Sequence, residues 1–315
     1  MKMTRASILG EISCEDFLAK YWQKKPLLIR QAIKDFHPPI DADQLAGLSL
    51  EEEVESRLVI GNSYKVEQGP FSEQRYTELG DHNWTLLVQA VNLWLPEVAE
   101  LLDYFDFLPA WRIDDIMVSF AADGGSVGPH YDNYDVFLLQ GEGRRKWSVG
   151  NSCDADSPLI EHSDLRILEN YNFDHEWVLE PGDMLYLPPK LAHHGIAVGP
   201  CTTFSIGFRA PSAAEVLDDL ATELISQNKL TGYLIDPPLE PEMAKQPIPS
   251  AYVEQVRALL SQALNDDETL MHWLAQYMTR PKYPHLSDIT GETREATIQI
   301  PDNSRTINYK NGEPR

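Results

Sequence analysis

An imidazole and a carboxylate stand two residues apart at His130 and Asp132. On an extended strand, residues i and i+2 project to one face, so both side chains can reach a single ion. A second imidazole arrives far downstream at His193, after Pro188-Pro189-Lys190-Leu191-Ala192. Two histidines and one carboxylate on one face of a metal leave the remaining octahedral positions open, the facial arrangement of non-haem Fe(II) oxygenases. That chemistry needs open positions, because a co-substrate and dioxygen must both reach the metal. A His-x-Asp pair alone is a weak signal, and its weight here comes from the residues around it.

Arg145 is one of these. Gln140-Gly141-Glu142-Gly143 has the composition of a hairpin turn, and Arg144-Arg145-Lys146-Trp147 would begin the returning strand. Alternation sends Arg145 to one face and Arg144 and Lys146 to the other. A buried guanidinium suits a carboxylate held bidentately, such as the distal end of a dicarboxylate; on a solvated strand the same residues would be only a basic patch. Glu180-Pro181-Gly182-Asp183 is a turn, with Gly182 expected at positive φ, and it leads through Met184–Leu187 towards His193.

Short apolar runs place these residues. From Trp111 onward, Ile116–Phe120, Val136–Leu139, Trp147–Val149, Trp177–Leu179, Met184–Leu187 and Phe204–Phe208 alternate with Gly, Pro, Asn and Asp clusters, the pattern of a β-barrel or sandwich. Before them, Ser13-Cys14-Glu15-Asp16 resembles a capping box opening a helix with Phe17, Leu18, Tyr21 and Trp22. Leu27–Ile29 and Arg57–Ile60 have strand character. Trp84, Leu87, Val88, Val91 and Leu95 recur at helical spacing up to Pro96, which predicts a helix there. After the barrel, Ser212-Ala213-Ala214-Glu215 is a capping box for a helix carrying Leu217, Leu220, Ala221 and Leu224. A break at Pro237, Pro238, Pro241, Pro247 and Pro249 precedes an amphipathic region from Tyr252 to Met278, interrupted at Asn265-Asp266-Asp267. The polar tail has one alternating segment, Thr297–Ile300, and a turn at Asn311-Gly312.

Composition narrows the function classes. The 315 residues carry a formal charge of −23, which argues against direct nucleic-acid binding because phosphate would be repelled. It is compatible with a basic protein partner. No stretch of eighteen apolar residues exists, so no membrane span is expected. Residues 1–5 are basic, but no apolar signal core follows them. Cys14, Cys153 and Cys201 form no CxxC pair. These features predict a cytoplasmic protein.

Gly128-Pro129-His130-Tyr131-Asp132, Gly143-Arg144-Arg145-Lys146-Trp147, Glu180-Pro181-Gly182-Asp183 and Pro188-Pro189 with His193 together resemble the JmjC-type, cupin-like oxygenases that use 2-oxoglutarate. Within them the similarity is greatest to the bacterial ribosomal oxygenases, arginine hydroxylases of large-subunit ribosomal protein L-sixteen. Tyr21–Pro26, Trp84–Asn92, Trp111–Asp115 and Gly207–Pro211 share in it, so the resemblance runs over residues 10–280.

The resemblance implies an α+β fold: a double-stranded β-helix (jelly-roll, cupin) barrel with N-terminal α/β elements and a C-terminal helical region. Residues 1–210 would be the JmjC-type catalytic domain, with the barrel core at about 111–210. Residues 211–280 would form a helical dimerisation region, and 281–315 a short, incomplete winged-helix-like tail. It implies Fe(II) held by His130, Asp132 and His193 rather than His194, with 2-oxoglutarate and O2 as co-substrates. Arg145 and Ser119 would bind 2-oxoglutarate, and no catalytic residue is needed beyond the metal centre. Asp114, Asp115, Tyr131, Tyr134 and Asp135 are candidate contacts for a substrate arginine. The expected reaction hydroxylates a ribosomal protein and releases succinate and CO2, with the enzyme a homodimer through an apolar stripe at Val256, Leu259, Leu260 and Leu264. The same iron chemistry on a histidine of another protein or on a small metabolite, or a catalytically silent cupin-like binding module, are the alternatives. The presence of all four of His130, Asp132, His193 and Arg145 weighs against the last.

Overall fold

The structure is a computed structural model that describes residues 8–161, 163–236, 238, 241–242, 246–300 and 305–315. The expectations for residues 1–5 and for Pro237 lie outside them. Two compact units emerge, one reaching to Ala210 and including His285–Glu292, the other formed by Pro211–Pro284 and Thr293–Arg315.

The first unit begins with α1 (Cys14–Lys20), β1 (Leu27–Ile29), α2 (Ala42–Leu48), β2 (Ser56–Ile60), β3 (Lys65–Gln68) and α3 (Glu73–Thr77). Ser13 caps α1, its Oγ accepting from Asp16 N–H at 3.1 Å, and Asp41 with Gln44 closes a complete capping box on α2. Then come β4 (Trp84–Val88), α4 (Pro96–Ala99), β5 (Ile113–Ala121), β6 (Val136–Gln140), β7 (Arg144–Ser152), β8 (Phe173–Leu179), β9 (Met184–Leu187), β10 (Leu191–Val198) and β11 (Cys201–Phe208). Eight of these strands form one antiparallel sheet in the order β1-β9-β6-β11-β5-β4-β2-β3, and three form a second in the order β10-β7-β8.

Side-chain alternation assigns the two faces of the large sheet. One face carries Leu58, Leu86, Val118, Phe137, Tyr186 and Phe204 into a core shared with Phe17, Leu45 and Phe105 of the N-terminal elements. The other face looks at the small sheet. There Val136, Leu138, Leu185 and Leu187 pack on Trp147, Val149 and Leu179, and Ala121 and Cys201 pack on Ala197. These facing sheets are the jelly-roll barrel of an α+β fold.

Two expectations are corrected. Residues 84–95, expected as a helix, are strand β4 followed by a 3-10 turn at Val91–Leu93. Thr85, Leu86, Leu87 and Val88 pair with both β2 and β5, and every residue from 85 to 88 is buried. Tertiary pairing on two sides overrides a periodicity that two-sided burial had mimicked. The Gln140–Gly143 turn does not close a hairpin either. β6 pairs with β9 and β11 while β7 pairs with β10 and β8, so the turn carries the chain from one sheet to the other. Gly143 sits at φ +63°, where an added Cβ would lie 2.1 Å from the Pro200 carbonyl oxygen, so the corner requires glycine.

In the second unit, α5 (Ala213–Ser226) starts at the capping box of Ser212 and Glu215 and buries Leu220 and Leu224 against Trp273, leaving Leu217 exposed. α6 (Ser250–Leu264) and α7 (Asp267–Thr279) separate where Asp266 caps α7 by accepting from Thr269 N–H at 3.0 Å. The short α8 (Ser287–Thr290) falls within the first unit. β12 (Glu295–Ile300), β13 (Arg305–Lys310) and β14 (Glu313–Pro314) form a three-stranded antiparallel sheet, whose Ile300, Ile307 and Tyr309 cover Ala275 of α7.

Candidate metal centre

The segment ahead of β6 runs beside β10 and is joined to it by a reciprocal pair of hydrogen bonds. His130 N–H donates to His193 O at 3.0 Å, and His193 N–H donates to His130 O at 2.8 Å. That bridge sets the imidazole rings face to edge with centroids 4.2 Å apart. Asp132, two residues on, places a carboxylate oxygen 3.7 Å from His193 Nε2. One ligand atom from each of His130, Asp132 and His193 lies within 4.8 Å of the others.

The second ring nitrogens fix the tautomers. Nδ1 of His130 is 2.9 Å from Gly128 O, and Nδ1 of His193 is 2.9 Å from Leu191 O. A carbonyl can only accept, so each Nδ1 carries the proton and each Nε2 keeps a free lone pair. His193 is 3% exposed, and desolvation, reinforced by the neighbouring His130, pushes its pKa down to about 4. It is therefore neutral near pH 7, the form in which imidazole binds metals. His194 lies on the opposite side of β10, its Nε2 3.0 Å from Ser126 Oγ and its pKa lowered to about 4, mainly by burial.

Arg145 is 5% exposed and projects from β7 into the barrel, with an Nη 3.5 Å from Ser119 Oγ on β5. Among the described residues its Nε and other Nη have no hydrogen-bond partner, and neither do the buried Thr85 Oγ1, Thr203 Oγ1, Gln140 Oε1 and Trp147 Nε1. Cross-strand partners share a face, and by the pairings Ser119–Thr203, Thr203–Gln140 and Ala121–Thr85 these groups all face the barrel interior. Unpaired buried donors cost about 1–3 kcal/mol each, so their concentration here marks a polar chamber shaped for a ligand. A guanidinium with two open donors fits a carboxylate, and two Nε2 atoms with one carboxylate fit a six-coordinate divalent ion with open positions.

The five residues expected near a substrate separate into distinct environments. Tyr134 is 40% exposed, yet desolvation of its hydroxyl and then the negative charge of Asp132 raise its pKa well above the ordinary phenol value. Asp115, 3% exposed, acts electrostatically on the same hydroxyl and accepts from Gln89 Nε2 at 2.7 Å. Asp114 points to the opposite face, 3.3 Å from Arg209 Nε. Asp135 is fully buried and leaves no surface for an incoming side chain. Its carboxylate accepts from Tyr186 Oη at 2.6 Å and Gln23 Nε2 at 3.1 Å, with Arg112 at 3.6 Å. Tyr131 faces away from the ligand atoms and donates its hydroxyl to Asp154 O at 2.6 Å.

Two residues escaped the sequence reading. Gly195 leaves room for the Trp147 indole beside His193, since a Cβ there would fall 2.7 Å from the ring. Arg57 shares the inner face with Leu87 and Ser119, and its charge acts on the Tyr134 hydroxyl. Strand alternation from Leu58 could have pointed to Arg57; nothing in the sequence marks Gly195.

Comparison with known proteins places this geometry. A JmjC domain model matches residues 100–216, and a model of an AraC-like ligand binding domain matches residues 171–278. The ribosomal protein uL16 3-hydroxylase of Escherichia coli is 38% identical over 270 residues, which cover 85% of this chain and 72% of that protein. A Haemophilus influenzae protein named a probable ribosomal oxygenase is 40% identical over 69% of this chain and 54% of its own length. The structure of Escherichia coli YcfD, a ribosomal oxygenase, in complex with cobalt and 2-oxoglutarate superposes with a TM-score of 0.78 at 33% identity, covering 97% of this chain and 86% of that one.

Proposed function

Because the chain belongs to the JmjC-type ribosomal oxygenases, we propose that it is an Fe(II)- and 2-oxoglutarate-dependent hydroxylase of a ribosomal protein. The finer reading is an arginine of uL16, from the name of the Escherichia coli relative and from the acidic groups at the barrel mouth. The observation that carries the proposal is the His130, Asp132 and His193 cluster in a barrel whose Arg145 has two buried donors without partners.

His130 and His193 would hold the ion through Nε2 and Asp132 through a carboxylate oxygen. The bound iron, with 2-oxoglutarate and O2, supplies oxidative decarboxylation to succinate and CO2 coupled to hydroxylation of a C–H bond. The protein's part is orientation. Arg145 would grip the far carboxylate of the keto acid with its open Nε and Nη, and Ser119 would add a hydroxyl on the same side. Trp147, Leu138 and Leu185 line the interior with apolar surface, which keeps water from the reacting atoms. Tyr134 would receive a substrate guanidinium by its ring face and hydroxyl, with the buried Asp115 adding negative charge behind it. A net charge of −23 attracts the basic ribosomal protein to which such an arginine belongs.

Incubation with Fe(II), 2-oxoglutarate and a panel of ribosomal-protein peptides tests the reading. A one-oxygen mass gain on an arginine of the uL16 peptide, absent with His130→Ala, is the expected result. Succinate formation with no gain on any peptide would remove the ribosomal substrate, and no succinate at all would remove the oxygenase. Action on a ribosomal protein supports a cytoplasmic location as part of this proposal; among the described residues no helix is long and apolar enough to cross a membrane. We propose a homodimer through α6, whose Val256, Leu260 and Leu264 are exposed, with Leu259 half-buried beside them. Monomeric sedimentation at micromolar concentration would refute it.

A further inference from the structure

The residues interleaved with the ligands project away from the metal side. Tyr131 lies between His130 and Asp132, and Ala192 precedes His193; on extended backbone both point to the back of the site. There they meet a single buried cluster with Cys153, Leu159 and Leu168. These last three belong to the connection between β7 and β8, described at residues 153–161 and 163–172. Leu159 and Leu168 bridge to each other, so the connection folds back on itself as a compact plate.

Hydrogen bonds fasten the plate to both ligand-bearing segments. Leu168 N–H donates to Pro129 O at 2.8 Å, immediately before His130, and Tyr131 Oη donates to Asp154 O at 2.6 Å. Cys153 N–H donates to Lys190 O at 2.7 Å, while Lys190 N–H donates to Asp132 O at 2.6 Å. Ile167 fits against Gly128 so closely that a Cβ there would lie 2.5 Å from its Cδ1. The His130 segment, by contrast, meets β10 through one isolated bridge rather than a ladder. Beyond that bridge and the Lys190 N–H to Asp132 O bond, residues 130–132 rely on packing from behind, and metal–ligand distances tolerate only about ±0.2 Å.

We propose that the β7–β8 connection is the positioning element of the metal centre, with Leu168 and Tyr131 holding the His130–Asp132 segment against the His193 strand from behind. The inference rests on the metal-centre reading above, and it assigns control of metal affinity to side chains that touch no ligand atom. Tyr131 thereby becomes a positioning residue in place of a substrate contact.

Co(II) is the probe, titrated into metal-free protein and followed by its visible absorption, with thermal unfolding of the metal-free form measured alongside. Leu168→Ala is expected to weaken Co(II) binding about tenfold and alter the absorption band, within the usual range for residues that orient ligands. Tyr131→Phe keeps the ring and loses the hydroxyl's bonds to Asp154 O and from Arg166 Nη, so a smaller loss is expected, and Leu168→Met should restore most of the affinity. Leu45→Ala, equally buried but on the far face of the large sheet, is the control and should lower the melting temperature with Co(II) binding intact. Leu168→Ala with wild-type affinity and spectrum, and only the melting loss of the control, would overturn the proposal alone. Wild-type protein that binds no Co(II) would overturn the metal-centre reading and this inference with it.

Discussion

Replacing Arg145 by methionine should stabilise the ligand-free protein and remove most of the stabilisation that the ligand confers. In the free protein the guanidinium is 5% exposed, with Nε and one Nη unpaired. Each unpaired buried donor costs about 1–3 kcal/mol, and the guanidinium's hydrogen bond to Ser119 Oγ is long at 3.5 Å. The contact over the Trp147 ring, 5.7 Å from its centroid, returns about 0.5–2 kcal/mol. Methionine fills similar volume without a charge, so the balance favours the variant by roughly 1–3 kcal/mol. With 2-oxoglutarate bound, the same two donors make charge-assisted hydrogen bonds worth about 1.5–3 kcal/mol each, and their loss weakens binding by at least about a hundredfold. The assay is urea unfolding of Co(II)-loaded protein with and without 2-oxoglutarate. At a ligand concentration a hundred times the wild-type Kd, wild type gains about 2.7 kcal/mol and the variant about 0.4. The variant's advantage should therefore shrink by about 2.3 kcal/mol on adding ligand, and reverse wherever it begins below that. A variant that keeps the full ligand-induced gain, or that is less stable than wild type by more than about 1 kcal/mol without ligand, would refute the account of Arg145 as an unsatisfied anion receptor.

Three further outcomes are expected. Gly195→Ala drives a Cβ to within 2.7 Å of the Trp147 indole, and the overpacking should cost about 1–3 kcal/mol in chemical denaturation while raising the KM for 2-oxoglutarate as the ring shifts towards His193. Asp132→Ala removes the sole anionic ligand and should abolish Co(II) binding at micromolar concentration by calorimetry, with little loss of melting temperature because the carboxylate is partly solvated. Burial raises the Asp135 carboxyl above its ordinary 3.8 despite its donors, so the protonated form favours the fold. That stability is complete below the unfolded pKa and is lost as pH rises through the raised folded value. Asp135→Asn should accordingly gain on wild type as pH climbs from about 3.8, a trend that paired urea midpoints across pH 4 to 7 would reveal and that a shrinking difference would contradict.

The chemistry was more legible in the sequence than its scaffold. The metal triad could be assembled from two fragments because His-x-Asp on extended backbone fixes two ligands by local geometry and the apolar run Met184–Leu187 leads towards His193, although the strand that carries His193, β10, was not legible. Arg145 was legible because its neighbours Arg144 and Lys146 alternate with it: Arg144 is exposed, Lys146 half-buried and Arg145 buried. Residues 84–95 were misjudged because a strand buried on both faces loses its period of two, and Trp84, Leu87 and Val88 then fit a helix by accident. The Gln140–Gly143 corner was misjudged because a turn's composition records its dihedral angles and says nothing of which strands pair across it. Asp135 and Tyr131 lie close to the ligands in sequence, but their partners, Tyr186 and Asp154, are far away in the chain and only the fold brings them together.

The same logic explains why the barrel carries so thick an apolar layer on its outer side. A chamber that holds unpaired Arg145, Thr85, Thr203 and Trp147 donors and acceptors is a standing debit against a marginally stable fold. The opposite face of the same sheet offsets it with Phe17, Leu45, Phe105, Phe137, Tyr186 and Phe204, all fully buried or nearly so. β4, β5, β6 and β11 each alternate between the two demands, sending alternate residues into the aromatic core and into the barrel, where Thr85, Ser119, Gln140 and Thr203 line the polar chamber. Because the period is two, a one-residue slip of any of these strands would bury a polar group in the core and turn an apolar one into the site. Register, stability and ligand recognition are thus a single constraint on these strands, and the polar residues that line the chamber are also those that forbid the wrong pairing.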